Sequence, residues 1–383
     1  MMNKNEWKKV KLKELIYKPI SGEWGKDYNT DNENTAYIIR TTNFTNNGSI
    51  DIFNKEVVKR EISLSKIKEK KLIKNDIIIE KSGGSPTQPV GRVVFFDIES
   101  NQNFLCNNFT SILRTNGKVF PKYLFYNLRH LYQNKSVLKY QNKTTGIINL
   151  KLQNYIDDTN ILLPPLEKQE KICKILDCLF NILEMKKRQL SELDSLVKFQ
   201  FLKIFGDPIL NEKNWEIKHL QELSILKSGG TPSRNNPNYF KGNIPWITTV
   251  SLGKQKISEE DAVEFITHEA IENSATKLIP VMSLLFGVRV GVGKSSINLV
   301  SLCTNQDIIA ITEIKSIINI IFLKNLLDLH FDYFNTKKRG ATIQGIKSDV
   351  LKNLSIICPP IELQNKFADF VKQVDKSKFE EIG

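Results

Sequence analysis

The sequence is short of the residues that carry chemistry on their own. Its 383 residues include four histidines and five cysteines. The histidines (His130, His219, His268 and His330) stand apart, with no HExxH and no H-x-E followed by CxxC. That excludes the zinc hydrolase and zinc deaminase signatures. The cysteines (Cys106, Cys173, Cys178, Cys303 and Cys358) form no CxxC pair. They read as free thiols in a reducing cytosol, not as metal ligands or a disulfide framework. No stretch approaches the roughly 20 apolar residues of a membrane span. The opening MMNKNEWKKVKLKEL has no apolar run after its charges. No secretory signal is expected, and a cytoplasmic location is.

Complete nucleotide motifs are missing too. GVRVGVGKS, starting at Gly287, ends like a P-loop, but Val288 takes the place of the first glycine in GxxxxGK[ST]. The run of N–H groups that cradles a phosphate needs that glycine. GxGxxG is absent. Asn236-Pro237-Asn238-Tyr239 lacks the second proline of the amino-methyltransferase Asn-Pro-Pro-Tyr and any companion glycine-rich loop. No nucleophile–base pair can be assembled, which argues for a binding module with no cofactor of its own.

What the chain has is positive charge and repetition. It carries 55 Lys and Arg against 42 Asp and Glu, a net +13. A surplus of that size favours a polyanionic partner, most often nucleic acid. Residues 1–165 hold 26 of the basic residues against 16 acidic ones, whereas residues 205–360 hold 17 against 15. The length implies more than one core.

The repetition is a duplication. W-x4-L-x-E-L occurs at Trp7, Leu12, Glu14 and Leu15 and again at Trp215, Leu220, Glu222 and Leu223. Ile39-Arg40-Thr41-Thr42 is matched by Trp246-Ile247-Thr248-Thr249. Leu72-Ile73 before Ile77-Ile78-Ile79 is matched by Leu278-Ile279 before Leu284-Leu285-Phe286. PPLEKQEKI from Pro164 returns as PPIELQNKF from Pro359. The order is kept while the offset drifts from 208 to 195, as loop insertions in one copy would cause. Short Ile/Val/Phe/Thr runs between Gly, Asn and Pro clusters predict strands in each copy. Helices are predicted at Pro121–Tyr140 and at Ile317–Phe334.

A longer helix follows the first Pro-Pro pair. Leu166 to Ile204 contains no Gly or Pro. Ile172, Leu176, Leu179, Leu183, Leu190, Leu193, Val197 and Ile204 fall on a heptad seam. Such a helix is roughly 58 Å long and stops at Phe205-Gly206-Asp207-Pro208. The second, from Ile361 to about Phe379, keeps the register, with Phe367, Val371 and Val374 matching Ile172, Leu176 and Leu179. Antiparallel pairing of the two stripes is expected to leave the first helix beyond Leu183 without a partner in this chain.

Polar loops recur in both copies. The first offers Arg40, Lys81, Ser82, Ser85, Thr87, Gln88, Arg92, Asn107, Asn108, Lys143, Thr144 and Thr145. The second offers Thr231, Ser233, Arg234, Thr248, Arg289, Lys294, Asn305, Gln306, Lys338 and Arg339. Asn and Gln can read adenine and Arg guanine, whereas Lys, Ser and Thr grip phosphates. These are the candidate DNA-binding residues.

Together, W-x4-L-x-E-L, SGGTPSRNNPNYFKGNIPWITT, the strand–SGG–GRV block, PPLEKQEKI and the FGDP after a long helix resemble the specificity subunit of type I DNA restriction-modification enzymes. The resemblance covers almost the whole chain and is closer in the second half, from Trp215 to Phe367. The first half has Ser21-Gly22-Glu23-Trp24 where the second has SGGT. The resemblance implies an α+β chain with target recognition domains at 1–163 and 207–358. Spacer helices at 164–206 and 359–383 would pair antiparallel as a ruler. Each domain would read half of a split DNA site, methyltransferase subunits would dock on the spacer, and a motor-nuclease subunit could join. S-adenosylmethionine, ATP and Mg would belong to those partners, and this chain would be non-catalytic. The short second helix departs from the family's equal spacers. Two other readings are a self-contained methyltransferase or nuclease with degenerate motifs, and a coiled-coil scaffold with no DNA role.

Overall fold

A computed structural model describes residues 7–28, 34–85, 87–144, 147–338 and 345–380. The chain packs as two compact units, residues 1–184 and 185–383. The boundary falls inside the long helix.

The two units share one topology. In the first, the principal sheet runs Ile20–Ser21, Thr110–Leu113, Ile77–Glu80, Val93–Phe95, all neighbours antiparallel. In the second it runs Ile225–Ser228, Ile308–Thr312, Leu284–Gly287, Ser295–Asn298, with a short parallel strand, Lys256–Ile257, added at the edge. The central strands are continuous apolar runs because both their faces are covered, and Ile77, Ile78, Ile79, Leu284, Leu285 and Phe286 are all buried. A second sheet repeats as well. Thr35–Ile39 lies parallel to Phe104–Cys106, as Ile244–Ile247 does to Cys303–Thr304. The ends of each unit are joined by an antiparallel pair, Lys8–Lys11 with Asn160–Leu163 and Ile217–His219 with Ser355–Ile357.

The repeated motifs acquire physical reasons. In each L-x-E-L turn both leucines are buried. The glutamate accepts from the backbone N–H three residues earlier, Glu14 from Lys11 and Glu222 from His219, the reach-back half of a capping box. Trp215 donates its indole N–H to the Phe205 carbonyl at 2.9 Å, satisfying an end carbonyl of the long helix.

Four helices frame the two cores: α1 (Pro121–Gln133), α2 (Leu166–Phe205), α3 (Ile320–Leu329) and α4 (Ile361–Glu380). The first and third are shorter than expected. Lys135 adopts φ +63° and separates α1 from a 3-10 turn at Ser136–Tyr140. Asn319 caps α3, accepting from Ile321 N–H and Phe322 N–H, so α3 starts later than the apolar run does.

The Pro-Pro blocks hold these helices together. Gln169 is 1% exposed and Gln364 is fully buried. Gln169 accepts from the Phe120 N–H, just before α1, at 2.9 Å and donates to the Pro164 carbonyl at 2.8 Å. Gln364 accepts from the Asn319 N–H, just before α3, at 2.9 Å and donates to the Pro359 carbonyl at 2.7 Å. Each Pro-Pro-x3-Gln therefore clamps a starting helix to the N-terminus of its unit's preceding helix, satisfying an N–H that the preceding helix leaves open.

Within the second unit, α4 runs antiparallel to the end of α2. Phe367 meets Phe201 and Phe205, with ring centroids 5.4 and 5.6 Å apart, and Lys378 further along α4 donates to Asp194 further back on α2 at 2.6 Å. Val197, Phe201, Phe205, Phe322, Phe367, Val371 and Val374 share one core. In the first unit, Cys173 and Ile172 join the core under α1, and Phe180 stacks on Tyr126 at 5.6 Å. This corrects the expected pairing. Beyond Leu183 the helix does have a partner in this chain: from Leu193 onward one face is covered, and it follows Val197, Phe201 and Phe205 at four-residue steps. Phe322 of α3 and Phe367 of α4 supply the rings it packs on. Leu179 and Leu183, placed on the seam with Val374 and its neighbours, are 52% and 55% exposed, whereas Val374 is buried. With Ile175 and Ile182 they form an exposed apolar stripe at helical spacing. Leu176, Leu190 and Leu193 are half-buried.

Among the described residues, no helix is long and apolar enough to cross a membrane.

Candidate nucleic-acid interface

Each unit builds its polar loops on the edge of its principal sheet. The anchor is a close approach. Gly22 and Gly229 lie so near the turn at Asn107 and Asn305 that a Cβ would stand 1.9 Å from the Asn107 carbonyl oxygen and 2.1 Å from that of Asn305. Only glycine fits, so the first unit keeps Ser21-Gly22 although the next residues differ from SGGT. Asn107 and Asn305 are themselves buried. Asn107 accepts from the Thr110 hydroxyl, and Asn305 accepts from the Asp307 N–H at 3.3 Å. Both shape the turn that displays their neighbours, Asn108 and Gln306, which are exposed.

In the first unit, Ser85, Gln88 and Arg92 come together with Thr41, Phe44, Lys55 and Glu80 around a cleft of about 470 Å³. Arg92 gives Nε and Nη2 to the carboxylate of Glu80 at 2.8 and 3.0 Å. Glu80 is 3% exposed, and a buried carboxylate held by a guanidinium fork is a strong, fixed pair. Arg92 also lies 5.5 Å from the Phe44 ring. Ser85 meets Thr87 at 3.1 Å and caps the Gln88 N–H. Beside this cleft, Lys81 donates to the Ser21 hydroxyl and Ser82 to Asn149. Burial pushes the Lys81 ammonium below the usual lysine range, and Lys70 adds to that. Arg40 is turned to the Glu56 carbonyl, 3.1 Å from its Nη2. Lys143 and Thr144 lie on the strand Gln141–Thr144, paired to Ile147–Leu150, and the latter pairs with Ser82–Gly84. Thr145 falls outside the described residues.

In the second unit, Thr231 donates to Gln306. Next to it, Arg289 lies 3.6 Å from Asp307. Arg234 forms a bidentate pair with Glu264 at 2.7 and 2.6 Å and stacks 4.1 Å from the Phe240 ring. Ser233 and Lys294 are exposed, and Thr248 and Lys338 are half-buried. Arg339 falls outside the described residues. The structure therefore joins Thr231 to Gln306, sets Arg289 against the following residue, Asp307, and holds Arg234 between Glu264 and the rings of Phe240 and Trp246. The carboxylates that fix these arginines, Glu80, Glu264 and Asp307, were not singled out in the sequence. A carboxylate closing the apolar run Ile77-Ile78-Ile79 was the one available signal.

The loops present amides, hydroxyls, ammonium groups and one loosely paired guanidinium on two equivalent scaffolds. Such groups bind phosphates and base edges. Residues 4–195 and 212–382 each match the family model described as type I restriction modification DNA specificity domain. A Methanocaldococcus jannaschii protein described as a type I restriction enzyme MjaX specificity subunit is 25% identical over 97% of this chain and 87% of its own length. The EcoR124I/EcoR124II specificity subunit of Escherichia coli is 29% identical over 45% of this chain and 44% of its length. The crystal structure of the S subunit of a type I restriction-modification system from M. genitalium aligns with a TM-score of 0.59 at 14% identity, covering all of this chain and 92% of that one.

Proposed function

The chain belongs to the type I restriction modification DNA specificity family, and from that membership we propose that each of its two units reads one short half of a split DNA target. The observation that carries this reading is the repeated scaffold, in which the same sheet order and the same glycine–asparagine turn present different side chains. Shared architecture fixes where a unit sits on a duplex, and the differing loops choose the bases. The exposed stripe Ile175, Leu179, Ile182 and Leu183 on α2 supports docking of a methyltransferase subunit, to which a motor-nuclease subunit is added in the restriction complex. The chain itself selects DNA and leaves catalysis to those subunits, which hold S-adenosylmethionine, ATP and Mg²⁺. The complex works in the cytoplasm, where its DNA is.

The test uses the purified full chain with and without its methyltransferase. Alone, it binds random duplex with a salt-dependent affinity and transfers no methyl group. With the methyltransferase, methylation becomes sequence-specific. Methyl transfer by the chain alone would show a self-contained enzyme. Absence of DNA affinity at low salt would leave a scaffold.

A further inference from the structure

We propose that Arg289, oriented by Asp307, reads a guanine in the DNA half-site of the second unit; this rests on the proposed DNA-reading function. Bidentate guanine recognition takes two parallel N–H donors from one guanidinium, and lysine cannot replace it. Of the candidate-loop arginines within the described residues, two have spent that fork, and a third, Arg40, has given up one arm of it and is only 28% exposed. Arg92 is locked on Glu80 at 2.8 and 3.0 Å and Arg234 on Glu264 at 2.7 and 2.6 Å. Arg40 donates to the Glu56 carbonyl at 3.1 Å. Arg289 is different. Its nearest carboxylate, Asp307, lies 3.6 Å away, beyond a hydrogen bond, and its side chain is 55% exposed.

The surroundings steer the side chain without using its donors. Asp307 is held in place, its N–H donating to the buried Asn305 at 3.3 Å. On the other side the backbone at 345–346 crosses the loop, with the Ile346 N–H on the Val288 carbonyl at 2.8 Å. A Cβ on Gly345 would stand 2.9 Å from Arg289 Cγ, so the chain leaves room there for the arginine stem. The strand registers set Ile77 opposite Leu113 and Leu284 opposite Ile311. Counting from those pairs, Ser82 and Phe109 stand where Arg289 and Asp307 do. The first unit lacks this reader, so its half-site serves as an internal control.

The experiment selects bound sequences from a random duplex library with the full chain and with R289A, R289K and D307N. The unmodified chain specifies a guanine in one half. R289A and R289K lose that preference by about 5- to 150-fold, the range of one bidentate base contact, and leave the other half unchanged. R289K keeps the salt dependence, because its charge remains. D307N weakens the guanine preference without altering the salt dependence, which a merely structural defect would not do. If the unmodified chain enriches a split sequence and R289K changes no position in it, this inference alone is overturned. If the unmodified chain enriches no sequence, the proposed function falls and the inference with it.

Discussion

Gln169 and Gln364 are buried and tie helix starts together. At a junction between helix starts, Gln169 satisfies two backbone groups and Gln364 three, the third being the Ile317 carbonyl at 3.0 Å. Replacing Gln364 by Ala leaves the Asn319 N–H buried without its acceptor, at a cost of about 1–3 kcal/mol. Thermal melting of the variant is expected to show it in the second unit, and a transition unchanged from the parent would show that the clamp adds nothing to stability. Lys81 makes a different test. Burial favours its neutral form, so the folded chain holds this proton less tightly than the unfolded one. Between its folded pKa and the ordinary 10.5, folding therefore strengthens with pH as far as this group is concerned. A phosphate needs the charged form, so DNA affinity runs the other way and falls through that window. Affinity measured across alkaline pH is expected to fall earlier for the parent than for K81Q, whose curve is flatter. Of these features the sequence showed the glutamines as a repeated spacing and the lysine as a loop residue. It could not show what they touch, because the Phe120 and Asn319 amides and the packing around Lys81 come from distant segments.

At the scale of elements, α2 is one helix with two kinds of surface. Its apolar periodicity was legible, since a stretch without Gly or Pro and with regular leucines has few other structures open to it. Which stretch of the stripe is covered was not. A heptad pattern reads the same under an intramolecular partner as under a foreign one, and the decision lay with Phe322 and Phe367, which approach only in the folded unit. Two substitutions separate the surfaces. Phe201 is fully buried against Phe205, Phe322 and Phe367, and F201A is expected to destabilise the second unit by about 3–5 kcal/mol. Leu179 and Leu183 are exposed, so the double change L179K/L183K is expected to shift folding stability by no more than about 0.5 kcal/mol. It should nevertheless abolish co-purification with a methyltransferase subunit. Unfolding data on F201A and pull-down of the double variant check both. Retained co-purification would move the docking surface off this stripe.

The molecule as a whole is a duplication whose two copies agree in topology and differ in the side chains they display. That much could be read from motif order, because the Pro-Pro and glycine positions are imposed by backbone geometry that both copies must satisfy. The display could not be read as fully. Loop polarity pointed to nucleic acid, but the structure shows that some of those polar groups, Asn107 and Asn305 above all, are buried in turns and that Arg92 and Arg234 are tied to carboxylates. The two units should therefore recognise unlike sequences. The most direct measurement is the pattern of methylated DNA made by the full chain with its methyltransferase, read by sequencing. Two units reading independently predict two short, different sequences separated by a constant number of unspecified bases. A single uninterrupted motif, or a gap that varies from site to site, would contradict them.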